Sequence, residues 1–106
     1  VQPAKYNTVK SDCYELLKIL IEYIDPDFIY NTITLNHNSI CKAHYDKLNK
    51  SPSLIIGLGE YTGGELIVEN CLFDIKNKPL IFNGGNSKHA TNDFTGDRYS
   101  VIYYNI

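Results

Sequence analysis

Apolar residues in this chain fall first at helical spacing and then at strand spacing, and the change comes at Asp25-Pro26-Asp27. Cys13, Leu16, Leu17, Leu20, Ile21 and Ile24 recur three and four apart, which lays one apolar stripe along a helix over about 11–25. Ser11 supplies an N-cap oxygen and Asp12 a negative charge in the first turn. Pro26 ends the helix because it disfavours helical geometry at the residue before it. Tyr14 and Tyr23 read as packing groups of this helix. One amphipathic helix cannot hide its own stripe, so it must lie on something, and everything after Pro26 reads as β.

Residues 28–35 are rich in β-branched and aromatic side chains and predict a strand. Asn36-His37-Asn38 turns the chain, 40–45 reads as a short second strand, and 47–53, with Pro52, as a loop. A third strand is expected over 54–58, then a turn region over 59–64 where Gly63-Gly64 opens backbone angles closed to other residues. Strands follow at 66–68, 72–75 and 79–82, the last two flanking an Asn77-Lys78 turn. Asn83-Gly84-Gly85-Asn86 makes a sharp connection, and a final strand runs over about 98–105. Seven or eight short strands divided by turns predict a mainly β barrel or jelly roll with the N-terminal helix on an outer face. The 106 residues leave room for one domain, helix about 11–25 and barrel about 28–106.

Composition narrows the partners. Ten basic and twelve acidic residues give a net charge of −2, so no basic surface for nonspecific nucleic-acid binding is implied, and Lys42, Lys47 and Lys50 read as solvated loop charge. Cys13, Cys41 and Cys71 are odd in number, far apart and without a Cys-x-x-Cys pair. That excludes a disulfide framework or a structural zinc knot and favours a reducing, intracellular compartment. The apolar runs are too short for a membrane span, so no membrane partner is expected.

The first residues with metal chemistry are His44-Tyr45-Asp46. In an extended chain alternate side chains share a face, so His44 and Asp46 can offer one nitrogen and one oxygen to the same point. His89 follows a glycine-rich connection 43 residues beyond Asp46. If it closes on the first pair, two histidines and a carboxylate form a facial triad suited to non-haem Fe(II). An ordinary surface histidine is the competing reading for His89, and His37 reads as a turn histidine without partners. Arg98 opens the final strand nine residues after His89. A guanidinium inside a barrel is costly unless an anion meets it, and its planar fork matches a carboxylate. Alternation puts Arg98, Ser100, Ile102 and Tyr104 on one face and Tyr99, Val101 and Tyr103 on the other. An arginine at the barrel rim is the structural alternative.

The ordered set His44-Tyr45-Asp46, His89 and Arg98-Tyr99-Ser100 resembles the Fe(II)/2-oxoglutarate-dependent dioxygenase family. SPSLIIGLGEYTGGELIVE is similar to that family's central strands and Gly-Gly turn, and HATNDFTGDRYSVIYYNI to its distal-histidine loop and closing strand, so the likeness covers about 28–106. The resemblance implies a double-stranded β-helix (jelly roll) in which His44, Asp46 and His89 bind Fe(II). It implies that Arg98 holds the remote carboxylate of 2-oxoglutarate, with Ser100 assisting. Molecular oxygen would be the cosubstrate, and the product a hydroxylated protein side chain or nucleobase, with neither substrate preferred and the oligomeric state open. The chain is short for this family and begins at Val1 in an extended lead-in. A compact relative, a fragment and a chain pared of its loops are three readings of that length. A noncatalytic jelly-roll binding module would bind small acids or peptides without turnover. A cupin-like metal enzyme without 2-oxoglutarate would turn Arg98 away from the metal, and a purely structural barrel would hold His44 far from His89.

Overall fold

A computed structural model describes residues 11–106. Helix α1 spans Ser11–Ile24 and is followed by seven strands: β1 Thr32–His37, β2 Ser53–Gly63, β3 Leu66–Val68, β4 Cys71–Phe73, β5 Leu80–Phe82, β6 His89–Thr91 and β7 Phe94–Tyr104. The described residues are 44% strand and 14% helix, a mainly β jelly roll with its helix at the N-terminal end. All strand pairs are antiparallel, in a four-stranded sheet ordered β1-β7-β2-β5 and a three-stranded sheet ordered β4-β3-β6.

The large sheet is buried on both faces, which is why Leu54, Ile55 and Ile56 form an unbroken apolar run in β2. Ile33, Leu54, Ile56, Val101 and Tyr103 point to one side and pack with Tyr14 and Ile21 of α1, with Leu17, Leu20 and Ile24 at the margin. The Tyr103 hydroxyl donates to the Leu17 carbonyl at 2.6 Å, fixing the helix on the sheet, and burial raises its pKa. Ile55 and Ile102 point to the other side and meet Leu66 of the small sheet, Ile75 beyond β4 and Phe82 of β5.

Several local expectations shift. The helix buries Tyr14 and Ile21 and half-buries Leu17, Leu20 and Ile24, so of the predicted stripe only Leu16 (65% exposed) faces solvent, as does Tyr23 (90%). Residues 40–45 form no strand; only His44 pairs there, in an isolated bridge to His89. β2 does not stop at Leu58 but runs to Gly63, because β7 begins at Phe94 and the two pair without a break from Leu54↔Tyr103 to Gly63↔Phe94. Gly59 and Gly96, both at positive φ, let this long ribbon bend; a Cβ on either would sit 2.2 or 2.3 Å from a carbonyl oxygen of the opposite strand. Among the described residues no helix is long and apolar enough to cross a membrane, and Cys13, Cys41 and Cys71 are free thiols.

Candidate metal centre

Two chain segments zip together to build the centre. His44 and His89 exchange both backbone hydrogen bonds at 3.0 Å, and the Asp46 N–H donates to the Gly84 carbonyl at 2.8 Å. Gly84 leaves room for the ligands: a Cβ would lie 2.9 Å from Asp46 Oδ2 and 3.1 Å from His89 Cε1. The ring of Phe82 meets His89 edge-on at 5.1 Å and closes the buried side. The nitrogen and oxygen donors of His44, Asp46 and His89 consequently lie within 4.8 Å of one another, and the two imidazole centroids are 4.4 Å apart. That spacing removes the purely structural reading, which required the histidines to be far apart.

The hydrogen bonds behind the rings decide what the centre can hold. His44 Nδ1 is 2.6 Å from the Lys42 carbonyl and His89 Nδ1 is 2.9 Å from the Ser87 carbonyl. A carbonyl only accepts, so each Nδ1 carries the proton, and in the neutral rings each Nε2 is left as a bare lone pair. Those lone pairs face Asp46: His44 Nε2 is 3.2 Å from Oδ1 and His89 Nε2 is 3.0 Å from Oδ2. An ionised carboxylate has no proton to give. With both rings neutral and the carboxylate ionised, three acceptors converge on one point, and a proton or a metal cation among them would relieve their repulsion. Two nitrogens and one oxygen, oriented by backbone carbonyls behind the rings, fit a divalent transition metal.

His44, Asp46 and His89 share a cavity of about 250 Å³ with Arg98 and Ser100. Arg98, Ser100, Ile102 and Tyr104 all line it, as their alternation along β7 predicted. Arg98 is 2% exposed. Its Nε and Nη2 donate to the Gly64 carbonyl at 3.1 and 3.0 Å, and the rings of Tyr61 and Phe94 flank its guanidinium, each centroid 5.6 Å from Cζ. No carboxylate among the described residues pairs with it. Burial lowers its pKa, yet a guanidinium stays protonated, so an unmatched cation faces the cavity that holds the triad.

The rest of the cavity divides by chemistry. Thr34, Asn36, Ser100 and Tyr104 make a polar wall on β1 and β7, with Thr34 Oγ1 and the Tyr104 hydroxyl 2.8 Å apart and Asn36 Nδ2 3.4 Å from Ser100 Oγ. Ile55, Leu66, Phe82 and Ile102 make the apolar wall. Sequence reasoning missed Thr34 and Asn36; a signal lay in their alternation within a strand otherwise rich in apolar residues. His37 lies outside the cavity. It stacks on Tyr99 at 4.2 Å and bonds Asp97 at the solvent-exposed end of β1, so it has partners the sequence did not suggest.

No family model matches the chain, and no curated protein matches it. Among solved structures it is similar to NgTET1 in complex with 5mC DNA, with a TM-score of 0.62 and 26% identity over 69% of this chain. The likeness takes in 33% of that structure's chain, so this protein spans about a third of its length.

Proposed function

We propose that this protein is an Fe(II)/2-oxoglutarate-dependent oxygenase that hydroxylates a nucleobase, with His44, Asp46 and His89 as metal ligands and Arg98 and Ser100 at the distal carboxylate of the cosubstrate. The observation that carries the reading is the pairing of two needs in one cavity: three acceptors wanting a cation, and a buried guanidinium wanting an anion. The likeness to NgTET1 supports the general 2-oxoglutarate/Fe(II) oxygenase class. In this reading residues 1–106 are one compact oxygenase-like domain, working in a reducing, intracellular setting that keeps the metal ferrous and the three thiols free.

Ferrous iron, 2-oxoglutarate and molecular oxygen together supply the oxidising power for C–H hydroxylation. The chain's part is placement. Arg98 fixes one end of the cosubstrate through a charge-assisted fork, and Ser100, on the same face two residues on, adds a hydroxyl donor. Ile55, Leu66, Phe82 and Ile102 keep water from that wall. None of the three metal ligands needs to act as a general base.

A nucleobase is favoured over a protein side chain by the DNA bound to NgTET1 and by the exposed residues next in sequence to the triad. Lys42, Lys47 and Lys50 are exposed on the segment that carries His44 and Asp46, with Tyr45 (45% exposed) between the ligands. Cations for the phosphate chain and an aromatic ring for a base suit an unstacked nucleotide, even on a chain whose net charge is −2.

The deciding experiment is anaerobic titration of Fe(II)-loaded protein with 2-oxoglutarate, followed by the visible charge-transfer band of the chelate. A band is expected; no band in folded, iron-loaded protein would sink the cosubstrate assignment. Aerobic incubation with methylated oligonucleotides and with peptides, read by mass, then separates the substrates. A gain of one oxygen on peptides alone would overturn the nucleobase reading.

A further inference from the structure

The cavity contains one thiol, and neither the triad nor the cosubstrate reading uses it. Cys41 lines the cavity together with Arg98, His44, Asp46 and His89, and it is a free cysteine. The backbone sets its position. Thr91, another lining residue, donates its N–H to the Cys41 carbonyl at 2.9 Å, and three residues on His44 is joined to His89. Cys41 is also exposed, which gives small solutes a way to it. The other two thiols are placed differently. Cys13 is half-buried on α1 and Cys71 is exposed on β4, and neither lines this cavity.

What sets Cys41 apart from an ordinary surface thiol is the cation that shares its cavity. Arg98 is 2% exposed, and both of its side-chain hydrogen bonds go to the Gly64 carbonyl, so its Nη1 makes none among the described residues. Burial lowers the Arg98 pKa, and the negative charges that Tyr61 and Cys41 can carry act against it, which puts Cys41 within electrostatic reach of the guanidinium. A desolvated cation without an anion favours any neighbouring group that gains a negative charge. Hydrogen peroxide gives a thiol that charge in two steps. The sulfur, as thiolate, attacks one peroxide oxygen; an S–O bond forms, the O–O bond breaks, and hydroxide leaves, giving the sulfenic acid once a proton is taken up. A second peroxide adds a second oxygen to the sulfenate and departs as water, leaving a sulfinate. Sulfur is oxidised by two electrons at each step and peroxide is reduced. Two oxygens sharing one negative charge match the planar fork of an arginine.

We infer that Cys41 is an oxidation site that closes the cavity: peroxide converts its thiol to a sulfinate, which pairs with Arg98 and shuts out other anions. The inference rests on the oxygenase reading only in naming 2-oxoglutarate as the anion shut out. A thiol that merely lies at the surface makes a different prediction. It oxidises no more readily than Cys71, and its oxidation leaves Arg98 unpaired.

The test needs no turnover. The full chain is treated with hydrogen peroxide before iron is added, and the peptide holding each cysteine is weighed. Two added oxygens should appear at Cys41 while Cys71 is little changed. Cys41→Asp places a carboxylate at the same position, and it should raise the melting temperature in the wild-type background and not in Arg98→Met. After anaerobic iron loading, oxidised wild type and Cys41→Asp should bind 2-oxoglutarate about 10-fold or more weakly than untreated protein, the range for a hydrogen bond to a charged group, with Fe(II) affinity unchanged. Peroxide-treated Cys41→Ser should bind it as the untreated variant does. Equal oxidation of Cys41 and Cys71, a melting gain that is absent or survives Arg98→Met, or full 2-oxoglutarate affinity in oxidised wild type overturns the assignment. A missing chelate band in untreated wild type overturns the oxygenase reading instead, and the oxidation and melting measurements then decide the inference alone.

Discussion

The two faces of the four-stranded sheet are made from the same strands and obey different rules. Against α1, Ile33, Leu54, Ile56, Val101 and Tyr103 form a dry layer with Tyr14 and Ile21, in which the Tyr103 hydroxyl is matched to a helix carbonyl and the Tyr14 hydroxyl has no partner among the described residues. One residue along in each strand, the opposite face presents Thr34, Asn36, Arg98, Ser100 and Tyr104 to a cavity. Four polar or charged residues are buried among those described, Ser53, His89, Arg98 and Ser100, and three of them line that cavity. Polar groups on a face that could have been core cost desolvation without adding packing, and in the oxygenase reading proposed above they serve a ligand. On that reading the first face carries stability and the second carries chemistry.

The sharpest way to break that division is to truncate the dry face. Leu54→Ala removes a side chain that is 1% exposed and should lower unfolding stability by about 2–5 kcal/mol, read by denaturant melts. Metal and 2-oxoglutarate affinities of the folded fraction should stay near wild type. Arg98→Met is the mirror experiment. It replaces a desolvated cation that has no carboxylate partner with an apolar chain of similar length, so stability should hold or rise by about 1 kcal/mol. Affinity for 2-oxoglutarate should fall by about 100-fold, as expected for losing a bidentate charged pair, with Fe(II) binding unchanged. A large loss of stability would make Arg98 a structural residue and erase the contrast between the faces.

Gly84→Ala tests whether the metal end is as closely built as the anion end. The new Cβ would press on Asp46 and His89 without touching the dry face. Fe(II) affinity should drop by about 10- to 100-fold, the range for disturbing the groups that orient metal ligands, and stability should change much less. Calorimetric titration with Fe(II) or a redox-stable surrogate such as Mn(II) reads this directly. Wild-type affinity in the variant would mean that the ligand positions tolerate more movement than the close packing implies.

How far the sequence foretold this depends on whether a feature is local. Alternation along β7 is local, and it sorted Arg98, Ser100, Ile102 and Tyr104 from Tyr99, Val101 and Tyr103 correctly. The order of His44, Asp46, His89 and Arg98 is not local, but it is specific enough as a set to suggest convergence, and the first three do converge. Phase within the helix was harder. Leu16 is as apolar as Leu17, and only the position of the sheet decides that Leu17 turns inward. The full length of β2 was hidden because Gly59 reads as a breaker until its partner on β7, Arg98, is known. β6 is three residues long and exists through pairing with β3, so nothing in His89-Ala90-Thr91 announces it.

The smallest effect is expected at the end of β1, where His37, Asn38 and Asp97 are exposed. There His37 stacks on Tyr99 and bonds the Asp97 carboxylate, which Asn38 Nδ2 also approaches at 3.2 Å. The hydrogen bond from His37, ahead of the one from Asn38, holds the Asp97 pKa below the ordinary aspartate value. A carboxyl whose folded pKa is depressed adds stability above its unfolded pKa and loses it as pH falls through the folded one. The gain is therefore present at neutral pH and disappears only in acid, and because both groups are exposed it should be slight. His37→Phe keeps a ring for Tyr99 to stack on and removes the hydrogen bond, so the Asp97 carboxyl signal in an NMR titration should move up toward the usual aspartate value. The anion pocket begins one residue away, at Arg98, whose backbone N–H is held by Asn38 Oδ1 at 2.7 Å. If His37→Phe also weakened 2-oxoglutarate, this solvent-exposed cluster would belong to the working face after all; unchanged cosubstrate affinity would place the boundary between Asp97 and Arg98.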